Sequence, residues 1–171
     1  MSDQRCEVSA GEVVVRRAGL ADAEGFVASS SALFAEDAGT RDPTVDVGWP
    51  REYGPQRFAA GLDDPDRLLL VADRDGEVVG HLAGAVADGS AMRPVKVATL
   101  VGMYVRPAYR RDQIGGRLVD EFLRWAESVG AGLAEVTAYA SNGQAIQFYE
   151  RNGFGPQAVT LRTPLGARIS P

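Results

Sequence analysis

Cysteine occurs once in this 171-residue sequence, at Cys6, and histidine once, at His81. One cysteine can form no intrachain disulfide and no cysteine-based metal site, and one histidine rules out a multi-histidine cluster. No metal centre is expected. Long apolar runs are also lacking: stretches such as Leu68–Ala72 fall far short of the roughly 20 residues that span a bilayer, so no membrane anchor is expected. The N-terminus is polar and acidic, without the basic and apolar regions of a secretion signal, and a cytoplasmic location is the expectation. Basic charge is in deficit, with 18 Lys and Arg against 23 Asp and Glu for a formal charge of −5. Such a chain is a poor candidate for binding nucleic acid through its phosphates.

What is present is an ordinary globular composition, 45% hydrophobic and 24% charged, long enough for one domain with a real core. Residues 12–166 are read as that domain, with tails at 1–11 and 167–171. No internal repeat or low-complexity block interrupts it. Glu12–Arg17 carries the β-branched run Val13-Val14-Val15 and reads as a strand. Asp22 is a candidate N-cap for a helix whose apolar residues run from Phe26 to Phe34, followed by an expected long loop over Asp37–Pro50. A second helix is expected from Pro50 to Gly61, with proline near its start. Arg67–Asp73 and Glu77–Ala87 flank Arg74-Asp75-Gly76, whose Asp-Gly pair signals a hairpin. Lys96–Val105 is apolar enough to be a central strand.

The strongest helical pattern follows: Leu118, Phe122, Trp125, Ala126 and Val129 form one apolar stripe, and Gly130 provides a stop. Leu133–Ala140 reads as a strand, Ser141-x-x-Gln144 as a capping box opening a last helix, and Ala158–Thr163 as a final strand. The fold class is α+β, a mixed sheet with helices packed on it.

The chemistry concentrates at Val105–Gly116, V-R-P-A-Y-R-R-D-Q-I-G-G. Here a buried strand ends and an amphipathic helix begins, with arginines and glycines between. The unsatisfied N–H groups and positive dipole of a helix N-terminus favour an anion, and nearby arginines would add charge-assisted hydrogen bonds. A phosphate or pyrophosphate site and a solvated basic turn are both compatible with this segment. No Gly-Lys-Ser/Thr follows, so it is not a nucleotide P-loop.

This segment resembles the acetyl-CoA loop of the GNAT N-acetyltransferases, Q/R-x-x-G-x-G/A, with Arg110 at the first position, Gly115 at the last, and Gln113 where the middle glycine belongs. A second motif, Asn142-x-x-Ala145-x-x-x-Tyr149-x-x-x-Gly153-Phe154, follows a strand at the family's spacing without departure. The resemblance extends from Val13 to Leu165. It implies an α/β/α layered fold with a mixed, mostly antiparallel sheet of six or seven strands and about four helices. Two parallel strands, Lys96–Val105 and Leu133–Ala140, would splay apart to form a V-shaped cleft for acetyl-CoA as cosubstrate. Pantetheine would pair with backbone of Met103 and Val105. The pyrophosphate would sit on Arg111, Asp112, Gln113, Ile114, Gly115 and Gly116, with Arg110 and Asn142 as further cofactor contacts. In the family a substrate amine attacks the thioester directly. The Val105 N–H would polarise the carbonyl, a kind of contribution typically worth about 3 kcal/mol. Tyr149 matches the tyrosine proposed to protonate the departing thiolate.

Each of these residues also has a plain structural reading. Tyr149 shares a helix face with Ala145 and Asn152 and could be a core aromatic; Asn142 could merely cap its helix; Arg117 could pair with Glu121 at i,i+4. His81 reads as packed rather than catalytic. If the Gln113 position requires positive φ, its side chain costs about 1 kcal/mol or more. The general base is open among Glu36, Asp37, Tyr139 and a water chain.

Charge is divided unevenly. Residues 1–96 hold 17 acids and 10 bases, and residues 97–171 hold 6 acids and 8 bases. The basic half carries the cofactor motifs. In the acidic half Glu36 and Asp37, with Trp49 nearby, and Tyr139 from the other half, are candidates for binding a cationic amine, although a solvated acidic loop is as compatible. The expected acceptor is a polyamine-like or aminoglycoside-like small amine or a protein amino group, and a homodimer is possible. A competing reading is a non-catalytic acyl-CoA-binding regulatory module.

Overall fold

The computed structural model describes residues 11–165. Cys6 and the expected tails, Gly11 excepted, lie outside the described residues. Five strands form one mixed sheet in the order β1-β2-β3-β4-β5: β1 Val14–Arg17, β2 Arg67–Arg74, β3 Glu77–Ala87, β4 Val97–Val105 and β5 Leu133–Val136. The first four pair antiparallel, and β5 runs parallel to β4. The β2–β3 hairpin turns on Asp75 and Gly76, both at positive φ (53° and 86°), the conformation the Asp-Gly pair favours.

Helix α4, Ile114–Ser128, packs its apolar stripe on one face of the sheet. Leu118, Phe122, Trp125 and Ala126 bury there against Leu68, Leu70, Leu82, Ala98 and Leu100. The opposite face is covered by α1, Ala23–Leu33, and α3, Trp49–Leu62, through Phe26, Phe58, Val71 and Val78. These are the three layers that the resemblance implies.

Four sequence expectations are corrected. The sheet has five strands, not six or seven, among the described residues: Ala158–Thr163 is exposed and joins no ladder. This segment is tied instead by an ion pair from Arg162 to Asp42. The strand expected at Leu133–Ala140 ends at Val136, because beyond that residue it leaves β4 and has no other neighbour to pair with. The loop expected to begin at Asp37 is still helical, first as a π-helical turn over Phe34–Ala38 and then as α2, Gly39–Arg41. Asp22 precedes α1 but makes no side-chain cap; its carboxylate accepts from Arg16 at 2.7 and 2.8 Å, and from the Gly19 N–H at 2.7 Å.

Candidate active site at the split between two parallel strands

The site begins as a pairing error in the sheet. Gly84 lies opposite Leu100, but Ala83 lies opposite Gly102, so Val101 is an extra residue on β4. Such a bulge bends the strand and increases its twist. Pairing of β4 with β5 ends at the same place, at Leu100 opposite Val136. Past the bulge, therefore, β4 has β3 on one side and an open edge on the other. The Arg106 N–H bonds to Val79 O at 2.9 Å. Strand groups alternate in direction, so the backbone of Tyr104 turns toward β3, and that of Met103 and Val105 turns to the open side. These are the two residues expected to offer their backbone to a strand-like ligand. Their side chains pack toward the α4 layer.

Gly80 lets β3 approach β4 closely beside this edge. A Cβ there would lie 2.8 Å from Tyr104 O and 3.4 Å from Val105 Cα.

At the end of β4 the chain passes through Pro107–Tyr109 into the loop before α4. Arg111 (φ 83°) and Gln113 (φ 59°) both adopt left-handed backbone. Gln113 is the residue preceding α4, and its side chain makes no cap. The first backbone bond of the helix is Arg117 N–H to Gln113 O at 3.0 Å. The N–H groups of Ile114, Gly115 and Gly116 at the first turn are thus left without an intrahelical partner. An uncapped helix start preceded by left-handed residues presents converging donors to an anion. Ile114 itself is a core side chain and contributes only its backbone. Gly115 is in close packing: a Cβ would sit 3.1 Å from the ring of Phe148, which would have to give by a few tenths of an ångström. Asp112 is exposed at the loop tip. Glu121 pairs with Arg124 at 3.1 Å, not with Arg117 as its spacing suggested.

The other arm of the split is β5 and α5, Gly143–Arg151. Asn142 caps α5, its Oδ1 accepting from the Ala145 N–H at 3.1 Å, so the cap falls one residue later than the Ser141 box predicts. Its Nδ2 donates to Asp37 Oδ1 at 2.8 Å. Arg41 Nε stands 3.4 Å from the same carboxylate oxygen. Two turns beyond the Asn142 cap, Tyr149 packs edge-on against Phe148 and Phe154, with centroids 5.3 and 5.8 Å away. Burial, reinforced by the Asp37 carboxylate, pushes the Tyr149 phenol up to about 12. Its hydroxyl therefore keeps its proton at neutral pH.

The π-helical turn supplies the bridge across the two arms. A residue inserted into a helix shifts the register of side chains, and such turns concentrate at functional sites. Here Asp37 reaches Asn142 on the α5 side. Glu36 reaches the β4 side, accepting from the Tyr104 hydroxyl at 2.9 Å and from Arg110 at 2.6 Å. Burial, then the Glu36 carboxylate, raises the Tyr104 phenol. Tyr104 belongs to the site but gave no motif signal; its place on the strand between Met103 and Val105 was the available hint.

Trp49 stands behind the turn, stacked on Phe34 at 5.8 Å, with Arg57 over its ring at 5.2 Å. Its ring already has a cation against it. Tyr139 follows β5, and its carbonyl accepts from the Asn142 N–H at 2.8 Å. His81 is buried, with Nδ1 2.7 Å from Ser29 Oγ, and desolvation pulls its pKa down to about 3. A groove of about 600 Å³ between α1 and α3 is lined by Val27, Ala28, Ser31, Arg51 and Pro55. It contains none of these groups.

The fold is thus layered, with a strand edge opened beside an uncapped helix start. Comparison with known proteins gives the family. Residues 33–154 match the Acetyltransferase (GNAT) family, and the chain belongs to that family. An uncharacterized N-acetyltransferase of Mycobacterium tuberculosis H37Rv is 32% identical over 98 residues, 57% of this chain and 59% of that protein. The match thus spans about three fifths of the curated relative's length. Among solved structures, a transcriptional regulator from Bacillus halodurans C-125 is similar with TM-score 0.71 at 26% identity, covering 90% of this chain and 99% of that one. An aminoglycoside N-acetyltransferase in complex with CoA shares the fold, with TM-score 0.71 at 15% identity over 90% of this chain and 95% of that one.

Proposed function

We propose that this protein is an acetyl-CoA-dependent N-acetyltransferase acting on a primary amine. The observation that carries the reading is the coincidence of the Val101 bulge, the end of β4–β5 pairing and the uncapped start of α4. Together they offer an extended ligand a strand edge and its phosphates a helix terminus, which is what CoA requires. Met103 and Val105 would hold the pantetheine by backbone. The loop Arg111–Gly116 would hold the diphosphate. Bound acetyl-CoA would supply an activated acetyl thioester.

The chain's own groups then have separable tasks. The Val105 N–H on the open side is a fixed donor for a developing oxyanion, and one such donor is typically worth about 3 kcal/mol of barrier. Tyr149 holds a proton on its hydroxyl for the departing thiolate, and general-acid help is usually worth about 10²–10⁴ in rate. Glu36 and Asp37 are the carboxylates that bridge the split, and either can take the proton that the amine loses as its new C–N bond forms. The same two charges favour a cationic acceptor, such as a polyamine-like or aminoglycoside-like amine or a protein amino group. The CoA-bound neighbour, named for aminoglycosides, supports the small-amine choice. No helix among the described residues is long and apolar enough to cross a membrane, and a cytoplasmic site of action is part of this proposal.

The test is CoA release measured against a panel of amines, with product masses, for wild type and Tyr149→Phe. Turnover of at least one amine with a fall of about 10²-fold or more in the variant is the expected result. CoA binding without turnover of any amine would replace the enzyme by a binding module.

A further inference from the structure

Arg110 occupies an unexpected place. It matches the first position of the cofactor loop, yet its side chain folds back onto β4. Nε donates to the carbonyl of Val105 at 2.8 Å, Nη2 lies 2.6 Å from Glu36 Oε1, and Cζ stands 5.2 Å from the centre of the Tyr104 ring. Tyr104 fixes the far oxygen of the same carboxylate at 2.9 Å. The arginine is thus gripped on three sides, and one of its grips is on the open-edge residue to which a strand-like ligand would pair. Bonded to Val105 O and Glu36, the guanidinium is committed to the β4 edge.

We propose that Glu36 is a positioning residue for the cofactor, acting through Arg110: the pair is a latch across the β4 edge that CoA must open. This rests on the cofactor reading above. Opening exchanges one anionic partner of Arg110 for another, carboxylate for phosphate, and frees Val105 O. A cationic acceptor that takes Glu36 would release Arg110 in the same way. Acceptor and CoA should then favour each other's binding, and by linkage the effect is reciprocal. The two side chains are 42% and 46% exposed, so the pair is of the partly solvated kind whose strength is modest.

The experiment is calorimetric titration of CoA into wild type, Glu36→Gln, Arg110→Ala and the double variant. The glutamine keeps an acceptor for Tyr104 and removes the charge that holds Arg110. Glu36→Gln should bind CoA about 2- to 5-fold more tightly than wild type, with its thermal midpoint within about 2 °C. Arg110→Ala should bind more weakly. In the Arg110→Ala background the Glu36 change should have no further effect on CoA affinity, because toward CoA Glu36 acts through that arginine. Equal tightening with and without Arg110 would show plain repulsion between Glu36 and an anionic ligand and would overturn the latch. Unchanged affinity in Glu36→Gln overturns it too. If none of the four proteins binds CoA, the cofactor reading itself falls, and the latch with it.

Discussion

The buried histidine gives a sharp prediction about acid stability. His81 is fully enclosed between sheet and α1, 2.7 Å from Ser29 Oγ and with its ring 4.7 Å from that of Phe26. No carboxylate accompanies it among these contacts. Burial lowers its folded pKa from 6.5 to about 3. In the unfolded chain the ring titrates near 6.5, so between these values the unfolded state carries one proton more than the folded state. Stability is full above the unfolded pKa and falls as the pH drops toward the folded one. At 1.36 kcal/mol per unit, lowering the pH from 7 to 5 should cost about 2 kcal/mol. The other shifted groups act elsewhere. Asp22 is held low chiefly by Arg16 and Asp42 chiefly by Thr44, so their contributions are lost only as the pH falls below the ordinary carboxylate range. Urea unfolding at pH 7, 6 and 5 measures the slope, and His81→Asn should flatten it. Because the chain has one histidine, the folded ring can also be followed directly by NMR. A native-state titration with a midpoint near 6.5 would refute the argument, as would an unchanged slope in the variant.

Other consequences concern the site. Gly80→Ala would set a Cβ 2.8 Å from Tyr104 O, backbone that cannot yield without shifting the β4 edge. It should cost about 1–3 kcal/mol in urea unfolding and weaken CoA binding. Gln113→Gly relieves a φ of 59°, worth about 1 kcal/mol locally, so CoA affinity measured by calorimetry should be equal or tighter. A large loss would mean that the Gln113 side chain itself touches the ligand. With the Tyr149 phenol pushed up to about 12, the proposed general acid stays protonated throughout the working range. The pH profile of kcat should then show no fall attributable to Tyr149 below about pH 10.

Local patterns were readable from the chain because their causes are local. The stripe Leu118–Ala126 buries where helical spacing puts it, and Asp75-Gly76 turns where its dihedrals require. The split between strands was reachable only through resemblance, since a bulge at Val101 is a matter of register between β3 and β4 and leaves no mark on residue order. The helical continuation through Phe34–Arg41 was hidden by its acids and glycine, which read as loop. Its consequence is larger than a boundary error: it places adjacent Glu36 and Asp37 on different arms of the site.

The charge division shows the same limit of sequence reading. An acidic half and a basic half suggested two separate surfaces, one for an amine and one for phosphates. In the structure the halves also meet each other, Glu36 with Arg110 and Asp42 with Arg162. A cationic or anionic ligand at these pairs therefore enters by replacing a partner that already carries the right charge. Its electrostatic gain is a difference between two similar interactions, well below the value of a bare charge meeting its complement. Selectivity at such a site has to come from what the internal partner cannot do: bridge Glu36 and Asp37 at once, or pair along the whole open edge of β4.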